Sequence, residues 1–314
     1  MNRRISTFIV LVLILAFLLS IPMAFLVASS HLLTPAPKPA PILTPRGTPP
    51  AVGATAAYLL DADTGRMLAD INGQQRLPMA STTKIMTAVV ALEKGNVNEI
   101  VTIQPDAVEE VKMNDGSSAQ LVAGDQIRLK DLLYGLMLPS GDDAAIAIAD
   151  AVGGSKDTFV KMMNDEAHLL HLNQTHYINP DGLTSTLPNG KPNPNHYTTA
   201  ADLAHLTRYA LSNSLFAQIV QLQSYSIPAT STHHAYTWIT TDNLLAEYAG
   251  ATGVKTGFTG EAGYCLVFSA TNGKHHLIGV LLNEKVEDQR FTDAAKLLDW
   301  GFNLPLLPPP PPSS

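Results

Sequence analysis

The 314-residue chain has one cysteine, few charges and no concentrated basic segment. A single cysteine rules out an internal disulfide. Cys265 lies in the apolar, strand-like run Gly263-Tyr264-Cys265-Leu266-Val267-Phe268, where a thiol serves as a small buried hydrophobe. Charged residues make up 15 % of the sequence and the net charge is −7, well short of the usual charged quarter. With no Lys/Arg run able to track phosphates, nucleic acid is excluded as a partner. The chain has ten histidines; His168 and His171 share a helical stretch, and His233-His234 and His275-His276 are adjacent pairs. None has a carboxylate at H-E-x-x-H or comparable spacing, so they read as surface or packing residues, with no metal or cofactor implied. No internal repeat is visible.

What the chain holds in quantity is apolar residues, 46 % of the total. From Phe8 to Val27 only Ser20 and Pro22 interrupt them, a stretch of roughly 30 Å as a helix, enough to cross a bilayer. Arg3 and Arg4 precede it, which leaves the first residues in the cytoplasm and the rest outside. Residues 1–30 read either as a cleaved signal peptide, with a passable site at Leu26-Val27-Ala28, or as a retained anchor, which the length suits better. Both readings export the protein, and the second tethers it to the plasma membrane in the cell envelope. Residues 31–51 are proline-rich and predict a semi-rigid spacer of about 50 Å. Pro305–Ser314 is a second proline tract, so the folded domain is expected over 52–304.

That domain opens with a β-hairpin, Ala56–Leu60 and Met67–Ala69 about a turn at Asp63-Thr64-Gly65. Ser81–Lys94 has a helical pattern capped by Gly95, with apolar residues around most of its circumference, so it is expected at the centre of the domain. Further helices are predicted over Leu132–Leu138, Asp143–Val152, Asp157–Leu172, Ala200–Leu211 and Asp288–Phe302. Strands are predicted over Gly253–Phe258, Gly263–Ala270 and His276–Leu282. Strands from both ends of the chain around a helical middle imply one antiparallel sheet covered by helices.

Two short patterns carry the chemistry. In Ser81-Thr82-Thr83-Lys84 the serine alone reads as a helix N-cap. A lysine one turn into an apolar helix is costly unless paired or functional. It lies on the serine's face, within reach of the hydroxyl. Burial and a nearby cation lower the pKa of such an amine until it can take a serine proton. The free N–H groups of the helix start, that of Ser81 among them, can hold an oxyanion. Lys255-Thr256-Gly257 ends a strand. Its ammonium and hydroxyl can bind a carboxylate, and Gly257 lets a substrate backbone approach the strand edge. The order S-x-x-K then K-T-G marks enzymes that acylate a serine without a histidine.

These residues, with Leu138-Pro139-Ser140-Gly141 before Asp143-Ala144-Ala145, Asn179-Pro180-Asp181-Gly182-Leu183, Tyr197-Thr198-Thr199-Ala200, Asn243-Leu244-Leu245 and Ala262-Gly263-Tyr264-Cys265, resemble the D-alanyl-D-alanine carboxypeptidases of the low-molecular-mass penicillin-binding group, serine peptidase family S11. The likeness runs over nearly all of residues 55–302. It implies an α/β (α+β) fold of the serine β-lactamase and penicillin-binding transpeptidase type, with a five-stranded antiparallel sheet sandwiched by helices. It implies Ser81 as the acylated nucleophile, Lys84 as general base and Ser140 as the proton relay to the leaving amine. Lys255 and Thr256 are implied to hold the substrate carboxylate, and the N–H groups of Ser81 and Phe258 to form the oxyanion hole. The implied substrate is a peptidoglycan stem peptide ending in D-Ala-D-Ala, with water releasing the acyl group and β-lactams as inhibitors.

Two features depart from the family. Its second motif reads S-x-N, whereas here it is Ser140-Gly141-Asp142, and an ionised Asp offers acceptors only. A carboxylate beside two lysines stabilises their charged forms, so Asp142, placed among the substrate-binding residues, is expected to pair mainly with one lysine, Lys255, leaving Lys84 as base. Many members carry a C-terminal β-rich domain and an amphipathic anchor helix; neither is expected from this sequence, which favours the N-terminal anchor. Two rival readings stand beside the carboxypeptidase: a serine β-lactamase, for which Glu166 is the one tempting carboxylate although it sits in a helical pattern, and an envelope protein that binds peptidoglycan with little turnover.

Overall fold

A computed structural model describes residues 42–114 and 116–307. The expected membrane segment, Phe8–Val27, lies outside the described residues. Among the described residues no helix is long and apolar enough to cross a membrane.

In chain order the elements are β1 (Ile42–Leu43), β2 (Ala56–Asp61), β3 (Met67–Ile71), a 3₁₀ turn (Ala80–Thr83), α1 (Lys84–Lys94), β4 (Ile100–Thr102), α2 (Pro105–Asn114), β5 (Gln126–Arg128), α3 (Leu129–Met137), α4 (Asp142–Gly153), α5 (Lys156–Leu169), α6 (Ala200–Leu211), α7 (Ser214–Val220), β6 (Ser224–Ile227), β7 (Tyr236–Ile239), α8 (Leu244–Glu247), β8 (Ala251–Thr259), β9 (Gly263–Thr271), β10 (His276–Glu284), α9 (Gln289–Phe302) and β11 (Leu306–Leu307). Five strands form one antiparallel sheet in the order β3-β2-β10-β9-β8. The chain thus has the expected α/β architecture, with strands from both ends of the sequence meeting at the β2–β10 pair.

The central strands are apolar on both faces, and their alternation separates two cores. Tyr58, Leu60, Val267, Ile278 and Val280 face a large cluster shared with α1, α3, α4 and α6. Leu59, Leu266, Phe268, Leu277 and Leu281 face a smaller one closed by Phe291, Leu297 and Leu298 of α9. Helices therefore cover both faces. Gly279 is required by this packing, because a Cβ there would stand 2.1 Å from the Phe268 ring.

Three expectations are revised. The segment starting at Ser81 is not one helix: a 3₁₀ turn precedes α1, with no side-chain cap bond at either start. Gly95 does cap α1, but at φ −92°. Glycine is needed there for space rather than for a left-handed turn, since a Cβ would meet Ala91 O and Leu129 Cδ2 at 2.7 Å. Finally, the folded unit extends from Ile42 to Leu307. β1 pairs with β11, Ile42 opposite Leu307 and Leu43 opposite Leu306, and Leu43 is buried in the smaller core. Parts of the expected spacer and tail thus belong to the fold.

Candidate active site

The turn that carries Ser81 sits between the β8 edge of the sheet and the helical layer. Ser81 lies in the 3₁₀ turn, which packs against β8. Gly257 has a use besides the one expected. A Cβ on it would lie 3.1 Å from Ser81 N and 3.2 Å from Met79 O, so it also permits the close approach of the turn that carries Ser81.

Lys84, the first residue of α1, is fully buried, and all three donors of its Nζ are engaged. They reach Ser81 Oγ at 2.8 Å, Asp142 Oδ1 at 2.5 Å and Asp181 O at 2.8 Å. The sequence pattern thus correctly brings Ser81 and Lys84 into contact. It misplaces the partner of Asp142, whose carboxylate pairs with Lys84 and not with Lys255. Both groups of this ion pair stand at helix starts, and the N-terminus of α4 favours a carboxylate at Asp142. Lys255 Nζ donates instead to Thr256 O at 3.0 Å. Burial, and then the cation of Lys84, push the Lys255 ammonium well below the usual lysine value.

The loop 179–183 braces this centre. Asn179 Oδ1 accepts from Gly182 N, and its Nδ2 donates to Leu183 O, both at 2.8 Å. Gly182, at φ +91°, lies so close to the turn that carries Ser81 that a Cβ would stand 2.0 Å from Ala80 O. Burial and the Asp142 charge push the Asp181 carboxyl up to about 6. On the other side, Thr83 Oγ1 donates to Ala80 O at 2.7 Å. Its one proton is thereby used, so at 2.8 Å it accepts from His196 Nε2. His196 Nδ1 then accepts from Ile178 N at 3.1 Å. These bonds fix one neutral tautomer, and burial lowers the imidazole pKa to about 3. A histidine with no part in the sequence reading thus anchors the turn that carries Ser81.

Ser140 is buried at φ +66°, a strained backbone for a non-glycine residue that cores and functional sites alone tend to retain. Three residues on, Asp143 accepts from Ala119 N at 2.8 Å and Leu121 N at 3.1 Å, tying the start of α4 to the 119–121 segment. Ser81, Ser140, Asp142, Thr256, Gly257 and Phe258 line one cleft of about 560 Å³. Thr256 Oγ1 lies 2.6 Å from Thr241 Oγ1, and the exposed Phe258 ring stacks on Tyr264 at 4.4 Å. Lys255 lies buried behind them in β8.

A second cation went unread in the sequence. Arg290 lines the same cleft, with Nη1 3.5 Å from Gly257 O and a buried Nε that has no hydrogen-bond partner among the described residues. Its signal was faint: the first turn of α9 has no acidic residue, and an arginine there opposes the helix dipole.

The other sequence candidates fall away from the cleft. Glu166 is buried in α5 and pairs with Lys94 at 3.2 Å, at the opposite end of α1 from Lys84 and about 15 Å along it. His234 pairs with Asp125 and His276 with Asp63, each a single carboxylate. Cys265 is buried in β9, and burial raises its thiol to about 11.

A serine and a lysine in contact on a buried turn, facing the free edge of an antiparallel sheet, define a serine acyl-transfer enzyme of the β-lactamase and penicillin-binding type. Comparison with known proteins narrows this. The D-alanyl-D-alanine carboxypeptidase family, peptidase S11, matches residues 44–286. The D-alanyl-D-alanine carboxypeptidase of Streptomyces strain K15 is 38 % identical, over 82 % of this chain and 90 % of that protein. DacF of Bacillus subtilis is 33 % identical, over 80 % of this chain and 62 % of its own length. The crystal structure of the Streptomyces K15 DD-transpeptidase superposes with a TM-score of 0.76, 38 % identical and covering 82 % of this chain and all of that one. The D-alanyl-D-alanine carboxypeptidase of Mycobacterium tuberculosis superposes at 0.75, 31 % identical, over 84 % and 97 % of the two chains. The chain belongs to the D-alanyl-D-alanine carboxypeptidase family of serine peptidases.

Proposed function

We propose that the protein removes the terminal D-alanine from peptidoglycan stem peptides ending in D-Ala-D-Ala, through an acyl-enzyme on Ser81. The observation that carries this is the 2.8 Å contact of Ser81 Oγ with Lys84 Nζ at the floor of the cleft beside β8. A peptide laid along the β8 edge puts its carboxylate at Thr256, Lys255 and Arg290. Its last carbonyl then faces the N–H groups of Ser81 and Phe258, which stabilise the tetrahedral oxyanion. The proton of Ser81 passes to Lys84 once Lys84 has handed its own to Asp142 across their 2.5 Å bond. Ser140 relays to the departing D-alanine amine the proton that Lys84 took from Ser81. Water then attacks the ester, releasing the shortened peptide and restoring the Ser81 hydroxyl. Arrival of the substrate carboxylate favours the charged form of Lys255, whose ammonium is otherwise disfavoured by burial.

β-Lactams share the carboxylate and reactive carbonyl of the dipeptide and acylate the same serine. Rapid β-lactam hydrolysis is disfavoured because Glu166 is occupied by Lys94, remote from Ser81. A second reading draws on the neighbour named a DD-transpeptidase: the same acyl-enzyme can pass to an amine in place of water. The apolar segment Phe8–Val27 and the arginines before it support a site of action outside the cytoplasm, with the domain tethered at the membrane.

The test uses the full chain with a fluorescent penicillin, then with a D-Ala-D-Ala peptide while free D-alanine is assayed, with and without an amine acceptor. A lasting penicilloyl adduct and D-alanine release, both lost in Ser81→Ala, are expected. Labelling or release that persists in Ser81→Ala refutes the assignment; fast penicillin turnover identifies a lactamase; an adduct without D-alanine release identifies a binding protein.

A further inference from the structure

Opening the acyl-enzyme requires a group that takes a proton from water, and the cleft holds a carboxylate besides Lys84. Asp142 lines it together with Ser81 and Ser140. The residue is 1 % exposed at the start of α4, and its backbone N–H donates to Ser117 O at 2.8 Å, so it is held in one place. Lys84 Nζ is the single atom between Ser81 Oγ and Asp142 Oδ1. Oδ1 is used by that bond, whereas no hydrogen bond among the described residues reaches Oδ2. A Cβ on Gly116 would stand 2.2 Å from Oδ2, and Gly116 also lines the cleft. Glycine at this position therefore leaves a space beside Oδ2 that any other residue would fill.

We infer that Asp142 is the general base of deacylation, taking a proton through Oδ2 from the water that attacks the Ser81 ester. This inference rests on the carboxypeptidase reading and adds the base of its second step. After D-alanine leaves, the proton on Asp142 returns to Lys84 across their bond, which restores the carboxylate. The water oxygen then bonds to the ester carbonyl carbon as one of its protons passes to Oδ2. The tetrahedral intermediate collapses, the bond from that carbon to Ser81 Oγ breaks, and Oγ takes a proton from Lys84. Asp142 gives its own proton to Lys84, and the ion pair is restored. The Asn of an S-x-N motif has no charge with which to accept a proton, so the departure in this chain favours water over an amine as acceptor. In a penicilloyl ester the ring nitrogen stays attached to the acyl group after the ring opens. It keeps water from the place that D-alanine vacates, and that adduct still lasts.

The experiment gives the full chain a diacetyl-lysyl-D-Ala-D-Ala peptide in the presence of hydroxylamine and reads two products, the hydrolysed peptide and its hydroxamate. Hydroxylamine is largely uncharged at neutral pH and attacks an ester without a base, so only the water branch needs Asp142. The ratio of the two products is set after acylation, so neither slow acylation nor a loss of folded enzyme changes it. Asp142→Asn is expected to lower the ratio of hydrolysis to hydroxamate about 10²-fold. A merely displaced acyl group would slow both branches and leave the ratio alone. Where Asp142→Asn forms too little product to read, Gly116→Ala decides: it keeps the carboxylate, fills the space beside Oδ2, and is expected to lower the same ratio. An unchanged ratio in the deciding variant overturns the inference while leaving the carboxypeptidase intact. No release of D-alanine by the wild type overturns both.

Discussion

Lys84 and Asp142 pose the sharpest question at the scale of single residues. A base must be uncharged to accept a proton, yet a carboxylate 2.5 Å from Lys84 Nζ favours the ammonium. At an effective dielectric near 20, one opposite charge at 4 Å is worth about 4 kcal/mol. Replacing Asp142 by Asn keeps an acceptor for Nζ and removes the charge. It also removes the carboxylate to which Lys84 hands its proton, so penicillin acylation is expected to slow about 10²-fold. Stopped-flow labelling reads the rate directly. An unchanged rate refutes the claim that Asp142 takes the Lys84 proton. Sequence could not settle this partner, since Asp142 is far in the chain from both Lys84 and Lys255. Which lysine it met depended on how α1 and α4 pack.

At the scale of elements, the proposed catalysis rests on how closely β8 meets the turn that carries Ser81. The register of β8 on β9 puts Gly257 opposite Cys265, and Gly257 lies against the backbone of Met79–Ser81. A methyl there forces the turn away by a few tenths of an ångström. Displacements of about 1 Å can cost 10²-fold in rate, so Gly257→Ala is expected to slow acylation about tenfold with little change in Tm. Unchanged acylation would show that this contact does not set the geometry. Long periodic elements such as α1, α4, α6, β9 and β10 were legible in the sequence, because both cores impose their spacing on them. The short or polar ones were not. α2, PDAVEEVKMN, has few apolar residues and is held by α4, and α7 is too brief to show a period. The two site motifs were legible because their chemistry demands fixed spacing along the chain. Arg290 and His196 were not, because each reaches the site from a distant element.

At the scale of the whole molecule, the two ends of the described fold close on each other. β1 and β11 are only two residues each, set among prolines whose composition conceals them. Their pairing is stabilised by packing, since Leu43 is 1 % exposed against the α9 side of the sheet. That core is remote from Ser81, which belongs to the opposite, helical side through α1 and the turn before it. Stability and catalysis should therefore separate. Leu43→Ala removes a fully buried side chain and is expected to cost about 2–4 kcal/mol in urea unfolding, while the rate of penicillin acylation by the folded enzyme stays at the wild-type value. A loss below about 0.5 kcal/mol would mean that the β1–β11 pair adds nothing to the domain, and that residues 42–51 act as a spacer after all.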